Sequence, residues 1–176
     1  MNENKIQKSR IIVHNGYKTE EYLRKILSLQ KLGFSNNIIV LDSINELKRV
    51  EKLANGEKLK IGIRMAINEE SQSAYYTSRL GIRHTKILNF YNENIKGKEN
   101  IELKMLHFFI NTGMTDTSYY WNELNKSLQV YCQLKKICST LDSINIGGGL
   151  PIKNSLSFEY DYQAIISEII KVIKEF

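Results

Sequence analysis

The chain has 176 residues, of which 42% are hydrophobic and 25% charged, and its formal net charge is +6 at pH 7. This length suits one domain with a buried core and is too short for two comfortable ones. No run of about eighteen apolar residues is present and the start MNENKIQKSR lacks an apolar signal region, so we expect neither a membrane span nor secretion. Lysines alternate with glutamates instead of forming a basic block, which argues against nucleic-acid binding.

Apolar runs predict five strands, which in chain order cover 11–13, 38–41, 59–65, 103–110 and 144–146. Each run leads into helical periodicity, over 22–29, 44–54, 87–95, 121–138 and 162–176 in turn. Gly33 and Gly56 mark the ends of the first two helices, and Ser43 with Glu46 predicts a capping box at the start of the second.

Five strands, each followed by a helix, predict a parallel sheet with right-handed crossovers. Two architectures share this pattern, an open doubly wound sheet and part of a (β/α)₈ barrel, and the pattern leaves both open. In both, ligands collect at the carboxyl ends of the strands. Polar residues and glycines stand at these ends: 14–16, Asp42, Arg64, 111–113 and 147–149.

Standard catalytic and metal-binding motifs are missing from the sequence. There is no Walker loop, no GxGxxG after the first strand, no HExxH and no nucleophile elbow. His14, His84 and His107 lack metal-ligand spacing, and His107 is expected to be a hydrogen-bonded core residue because it lies inside an apolar run. Cys132 and Cys138 lie in one helical pattern at a spacing unsuited to a disulfide, so we expect reduced thiols and a cytoplasmic protein.

Five segments together resemble a known family: VHNGYKTEEYLRKILSLQKLG (13–33), IGIRMAI (61–67), SRLG (78–81), LHFFINTG (106–113) and NIGGGLP (145–151). In this order they resemble the fold-type III pyridoxal-phosphate decarboxylases, and most of all the biosynthetic arginine decarboxylases. The resemblance implies an alanine-racemase-like barrel, pyridoxal 5'-phosphate as cofactor and an amino-acid substrate. Arginine comes first, for polyamine synthesis, with ornithine or diaminopimelate as alternatives. It also implies a homo-oligomeric parent enzyme.

The resemblance also implies which part of such an enzyme is present. It places 1–176 as about strands three to seven of the barrel domain. In the family the Schiff-base lysine lies on the first strand, and the C-terminal β domain follows the barrel, so neither is expected within this chain. We therefore expect a fragment that is inactive alone. A reading from a different class stays open, namely a non-catalytic remnant or half-barrel module for binding or assembly.

The resemblance assigns six cofactor-binding residues: Arg64, Phe109, Thr112, Gly147, Gly148 and Gly149. By themselves the three glycines predict either a turn or an anion cradle. As the loop after barrel strand seven, they are expected to offer backbone N–H groups to the cofactor phosphate. Thr112 stands where the family has a phosphate-binding serine, and Phe109 where it has a histidine on the cofactor ring. Arg64 is expected to project into the barrel near the cofactor.

Overall fold

The computed structural model describes residues 7–67, 80–110, 117–148 and 160–176. Within these ranges the strands are β1 (Ile12–His14), β2 (Asn37–Leu41), β3 (Leu59–Ala66), β4 (Ile82–Arg83), β5 (Ile101–His107) and β6 (Ser143–Asn145). The helices are α1 (Glu20–Lys31), α2 (Ile44–Ala54), α3 (His84–Asn94), α4 (Thr117–Ile137) and α5 (Tyr162–Glu175). The expected alternation of strands and helices is confirmed. The two-residue β4 was not expected, because two residues are too few to form a recognisable apolar run.

The order of the strands decides between the two architectures. The main path of the sheet runs β1–β2–β3–β5–β6, and every pairing is parallel. Only the short β4, which pairs with the end of β3, lies off this path. A doubly wound sheet reverses its strand order at a switch point. Here the order along the sheet follows the order along the chain, so the sheet winds in one direction, as in a barrel.

The two faces of the sheet bury different clusters, because successive side chains of a strand point to opposite faces. On the outer face, Ile61 and Ile63 of β3 belong to the large core that also contains Leu23, Leu47 and Leu124 of the helices. The inner face holds a smaller cluster, formed by Val13, Ile38, Val40 and Met105. The helices therefore cover the outer face of the sheet, and a second apolar layer lies on its inner face.

The start of α2 differs from its expected form. Ser43 is the N-cap residue, but its side chain makes no capping hydrogen bond. Instead, the Glu46 carboxylate accepts the backbone N–H of Asp42 at 2.7 Å. The predicted capping box is therefore wrong. The physical reason is a long-range contact: Glu46 Oε1 lies 3.2 Å from the ammonium group of Lys18, which draws the carboxylate away from Ser43.

Among the helices that the structure describes, none combines the length and the apolar character needed to cross a bilayer.

Candidate functional site

The carboxyl ends of four strands bring polar side chains to one rim of the sheet. Arg64 of β3 lies beside His107 of β5 in the sheet register, and His107 lies beside Asn145 of β6. Asp42 directly follows β2, and its Oδ1 is 3.5 Å from Nη1 of Arg64. Of the residues expected at this rim, Asp42 and Arg64 are therefore neighbours. His107 and Asn145 lie beside them and were not expected there, and 111–113 are outside the described residues.

Three of the assigned site residues are neighbours at this rim. The Arg64 guanidinium lies over the Phe109 ring, with Cζ 5.7 Å from the ring centroid, which is cation–π range. A Cβ on Gly148 would lie 3.7 Å from Cε2 of the same ring. Phe109 therefore adjoins both the arginine and the glycine loop. The side chain of Arg64 keeps 13% of its surface exposed.

The first two glycines of the loop have different surroundings. Gly147 has φ +69°, and a Cβ there would lie 2.5 Å from the carbonyl oxygen of Phe108, so only glycine fits this turn. Its N–H donates to Oδ1 of Asn145 at 2.9 Å and is used within the loop. Gly148 is exposed. Gly149 and Thr112, the remaining assigned residues, lie outside the described residues.

His107 is a buried, hydrogen-bonded histidine, as expected. Its Nδ1 lies 3.1 Å from the carbonyl oxygen of Asn145. A carbonyl oxygen only accepts, so Nδ1 carries the hydrogen. Burial lowers the pKa of His107, and the charge of Arg64 lowers it further, although the hydrogen bond to Asn145 acts the other way. The described residues contain no group of three or more histidine, cysteine or acidic side chains that could hold a metal ion.

A buried cluster of charged side chains lies next to Arg64, and it was not predicted from the sequence. Lys18 has no exposed side-chain surface, and its Nζ donates to the carbonyl oxygens of Gly16 at 2.5 Å and Val40 at 2.7 Å. The same Nζ lies 3.2 Å from Oε1 of Glu46 and 3.8 Å from Oδ2 of Asp42. Lys18 belongs to the quoted NGYK segment, but no role was assigned to it. The available signal was a lysine two residues after Gly16, the glycine in the loop that follows β1.

The rim suits a planar aromatic ligand with an anionic group. Phe109 offers a ring for stacking, and the Arg64 guanidinium offers a positive charge that can pair with a phosphate. Among the described residues, the Phe109 ring alone lies within 4 Å of a Cβ at Gly148, which leaves room there for a ligand to approach the loop backbone.

A barrel-type parallel sheet with such a rim defines a class, the barrel domains that hold a phosphorylated cofactor at the carboxyl ends of their strands. Within that class the chain belongs to the pyridoxal-dependent decarboxylases, because the model of the family described as "Pyridoxal-dependent decarboxylase, pyridoxal binding domain" matches residues 2–176. The resemblance inferred from the sequence and the expected cofactor, pyridoxal phosphate, are confirmed by this match.

Individual relatives agree with the family. The chain is 28% identical to the biosynthetic arginine decarboxylase of Vibrio cholerae over 184 residues, which cover 96% of this chain and 28% of that protein. The crystal structure of the biosynthetic arginine decarboxylase of Campylobacter jejuni superposes with a TM-score of 0.70 at 25% identity, covering 96% of this chain and 29% of that one. The diaminopimelate decarboxylase of Helicobacter pylori, complexed with L-lysine, gives a TM-score of 0.71 at 18% identity, covering 90% and 41%.

These comparisons confirm the alanine-racemase-like barrel as the fold. The chain spans 28% of the length of the Vibrio cholerae relative. The ligands and substrates of the whole relatives are therefore proposals for this chain.

Proposed function

We propose that this chain is the cofactor-binding barrel segment of an arginine decarboxylase, an enzyme that converts arginine to agmatine for polyamine synthesis. The observation that supports this most is the 28% identity to a biosynthetic arginine decarboxylase across 96% of the chain. Arginine is favoured over ornithine and diaminopimelate because this relative and the Campylobacter jejuni protein, which is more similar in sequence to this chain than the diaminopimelate decarboxylase of Helicobacter pylori, are biosynthetic arginine decarboxylases.

When bound, pyridoxal phosphate supplies an electron sink for the carbanion that remains as carbon dioxide leaves. The residues of this chain bind and orient it. Phe109 would pack on a face of the cofactor ring, and Arg64, whose guanidinium lies over the Phe109 ring, would offer its positive charge to the cofactor. Gly148, and by the resemblance Gly149 and Thr112, hold the phosphate. Phe109 has no titratable group, so it takes no part in proton transfer.

A segment exchange tests this function. The part of the Vibrio cholerae enzyme that aligns with 96% of this chain is replaced by the chain. The chimera is assayed with carboxyl-labelled arginine, ornithine, lysine and diaminopimelate. We expect the folded chimera to keep the visible absorbance of bound cofactor and to prefer arginine. A folded chimera that binds no cofactor, or that prefers another amino acid, contradicts the proposal. The Arg64→Ala chimera serves as the matched control and is expected to lose cofactor.

We further propose that the 176-residue polypeptide alone is not a decarboxylase. The reason is the resemblance, which places the cofactor-bearing lysine on a strand that precedes the matched segments. Purified chain with added pyridoxal phosphate is therefore expected to release labelled carbon dioxide no faster than free cofactor does. Faster release would contradict this and would show that a lysine of this chain carries the cofactor.

The remaining expectations are proposals too. We propose that the parent enzyme is a homo-oligomer in the cytoplasm, acting on a small amino acid without a nucleic-acid partner. Support for the compartment comes from Cys132 and Cys138, which are both free thiols, as is usual in reducing surroundings.

A further inference from the structure

We propose that Lys18 is a positioning residue: by neutralising two buried carboxylates, it keeps the Arg64 guanidinium over Phe109 and available to an anionic ligand at the rim. The inference rests on the proposed function only where that ligand is called pyridoxal phosphate. The position of Arg64 itself can be measured without any ligand.

Lys18 itself does not reach the rim. Its side chain has no exposed surface. Two of its ammonium hydrogens go to backbone carbonyl oxygens, one in the loop after β1 and one at Val40 of β2. Oε1 of Glu46 lies 3.2 Å from the same nitrogen as an ion pair. An ammonium group held by two backbone oxygens has a fixed place, so Lys18 acts on its neighbours as a fixed positive charge.

The two carboxylates need that charge. Asp42 and Glu46 keep only 5% and 2% of their side-chain surface exposed. Oδ2 of Asp42 and Oε1 of Glu46 have no hydrogen-bond donor among the described residues. Both oxygens face Lys18, at 3.8 and 3.2 Å. A buried carboxylate without compensation is costly, so the ammonium charge is what stabilises these two oxygens.

The second oxygens of the same carboxylates link the cluster to the rim. Oε2 of Glu46 accepts the backbone N–H of Asp42 and so fixes the residue that follows β2. Oδ1 of Asp42 then contacts Nη1 of Arg64 at 3.5 Å, a long contact for a charged pair. Arg64 therefore stays loosely paired with Asp42 and stacked on Phe109.

Charge balance predicts what happens without Lys18. The cluster then contains two carboxylates, and Arg64 and Arg49 are the positive charges that remain beside them. Arg49 lies 3.9 Å from Glu46, and its side chain is 44% exposed. Solvent screens Arg49, so the buried negative charge draws Arg64 inward. A close pair with Asp42 would take the guanidinium off the Phe109 ring.

The first arm of the test follows the Arg64 side chain by NMR in the purified chain. The Arg64 Nε–Hε resonance is assigned by its loss in Arg64→Lys, and its ring-current shift reports proximity to Phe109. We expect Lys18→Met to reduce this shift and the double variant Lys18→Met/Glu46→Gln to restore it, because the second change removes the surplus negative charge. Lys104→Met, which removes a lysine paired with Asp142 instead, is the matched control and is expected to leave the resonance in place.

The second arm measures the dissociation constant of pyridoxal phosphate. We expect Lys18→Met to weaken binding about tenfold, the loss of one charge-assisted contact. In an Arg64→Ala background the same change is expected to have no effect, since Lys18 acts through Arg64. If Lys18 only stabilised the fold, Lys18→Met would weaken binding equally in both backgrounds, and the loss of affinity would parallel the loss of thermal stability.

Each outcome decides the inference. An unmoved Arg64 resonance in folded Lys18→Met, or an equal loss of affinity with and without Arg64, overturns it. If Lys18→Met does not fold, Glu46→Gln takes its place. Lys18 then pairs with Asp42 alone, so Asp42 holds Arg64 less tightly and the Arg64 resonance must shift. An unshifted resonance overturns the inference. If the wild type binds no pyridoxal phosphate, the proposed function fails, while the NMR arm still decides the role of Lys18.

Discussion

Two adjacent glycines in the loop after β6 show how much a single position determines. Gly147 has a positive φ and no room for a Cβ, whereas Gly148 has a free position beside Phe109. The resemblance predicts both as part of one phosphate-binding run. The structure separates them into a residue that forms the turn and a residue that a ligand can approach.

The two positions give a matched pair of variants. Gly147→Ala is expected to lower the free energy of unfolding by about 1–3 kcal/mol, because alanine is strained at this φ and its Cβ meets the Phe108 carbonyl. Gly148→Val is expected to change stability by less than about 0.5 kcal/mol, yet to weaken pyridoxal-phosphate binding by blocking close approach to the backbone. Urea unfolding and cofactor titration measure the two effects. If Gly148→Val binds the cofactor as tightly as the wild type, the loop is only a turn.

The contacts of Lys18 could not be predicted from the residues near it in the sequence. Glu46 lies three residues after Ser43, which is the spacing of a capping box. The local sequence predicts that contact and no other partner for Glu46. Its actual partner, Lys18, lies 28 positions away and becomes a neighbour only through the pairing of β1 with β2. Lysine is rarely buried, so nothing in the composition predicts that this one is.

At the scale of elements, the sequence predicts nearly everything that local patterns determine. Apolar runs predict β2 and β3, and periodic apolar positions predict all five helices, because burial on one face of a helix imposes its period. The boundaries shift by a few residues: β5 begins at Ile101, ahead of the expected 103, and ends at His107. Strand order is a property of the sheet as a whole, so the strand–helix pattern left the barrel and the doubly wound sheet open, and the family resemblance is what predicted the barrel.

Gly62 of β3 tests the packing of the inner face. A Cβ there would lie 3.1 Å from Cγ2 of Val40 and 3.3 Å from Cβ of Met105, closer than ordinary contact. We expect Gly62→Ala to lower the free energy of unfolding by about 1–3 kcal/mol through overpacking. In a Val40→Ala background the added methyl group fills space instead, so the same change is expected to cost less. Equal costs in both backgrounds, measured by urea unfolding, would mean that the inner cluster is not packed at this point.

At the scale of the whole molecule, two buried histidines link stability to pH. Burial lowers the pKa of His14, and the nearby Lys18 charge lowers it further, although a hydrogen bond to Asn37 opposes this. The pKa of His107 is lowered as well, again chiefly by burial. Both are therefore protonated more readily in the unfolded chain, where their ordinary value of 6.5 applies.

The sign of the effect follows from this difference. Below about pH 6.5 the unfolded state binds more protons than the folded state, so the free energy of unfolding is expected to fall as the pH is lowered. Each histidine contributes a slope of at most about 1.4 kcal/mol per pH unit. Urea unfolding between pH 7.5 and about 5 measures the slope, and the double variant His14→Gln/His107→Gln is expected to flatten it. An equal slope in the variant would assign the pH dependence to other groups.

The central claim is that the rim around Arg64, Phe109 and Gly148 binds the phosphate of pyridoxal phosphate. Paired titrations of the purified chain with pyridoxal phosphate and with pyridoxal, which lacks the phosphate, test it most directly. We predict that the wild type and the Lys104→Met control bind the phosphorylated form about tenfold more tightly, and that Arg64→Ala loses most of this preference. Equal affinities for the two compounds, or a preference that survives Arg64→Ala unchanged, would contradict the claim.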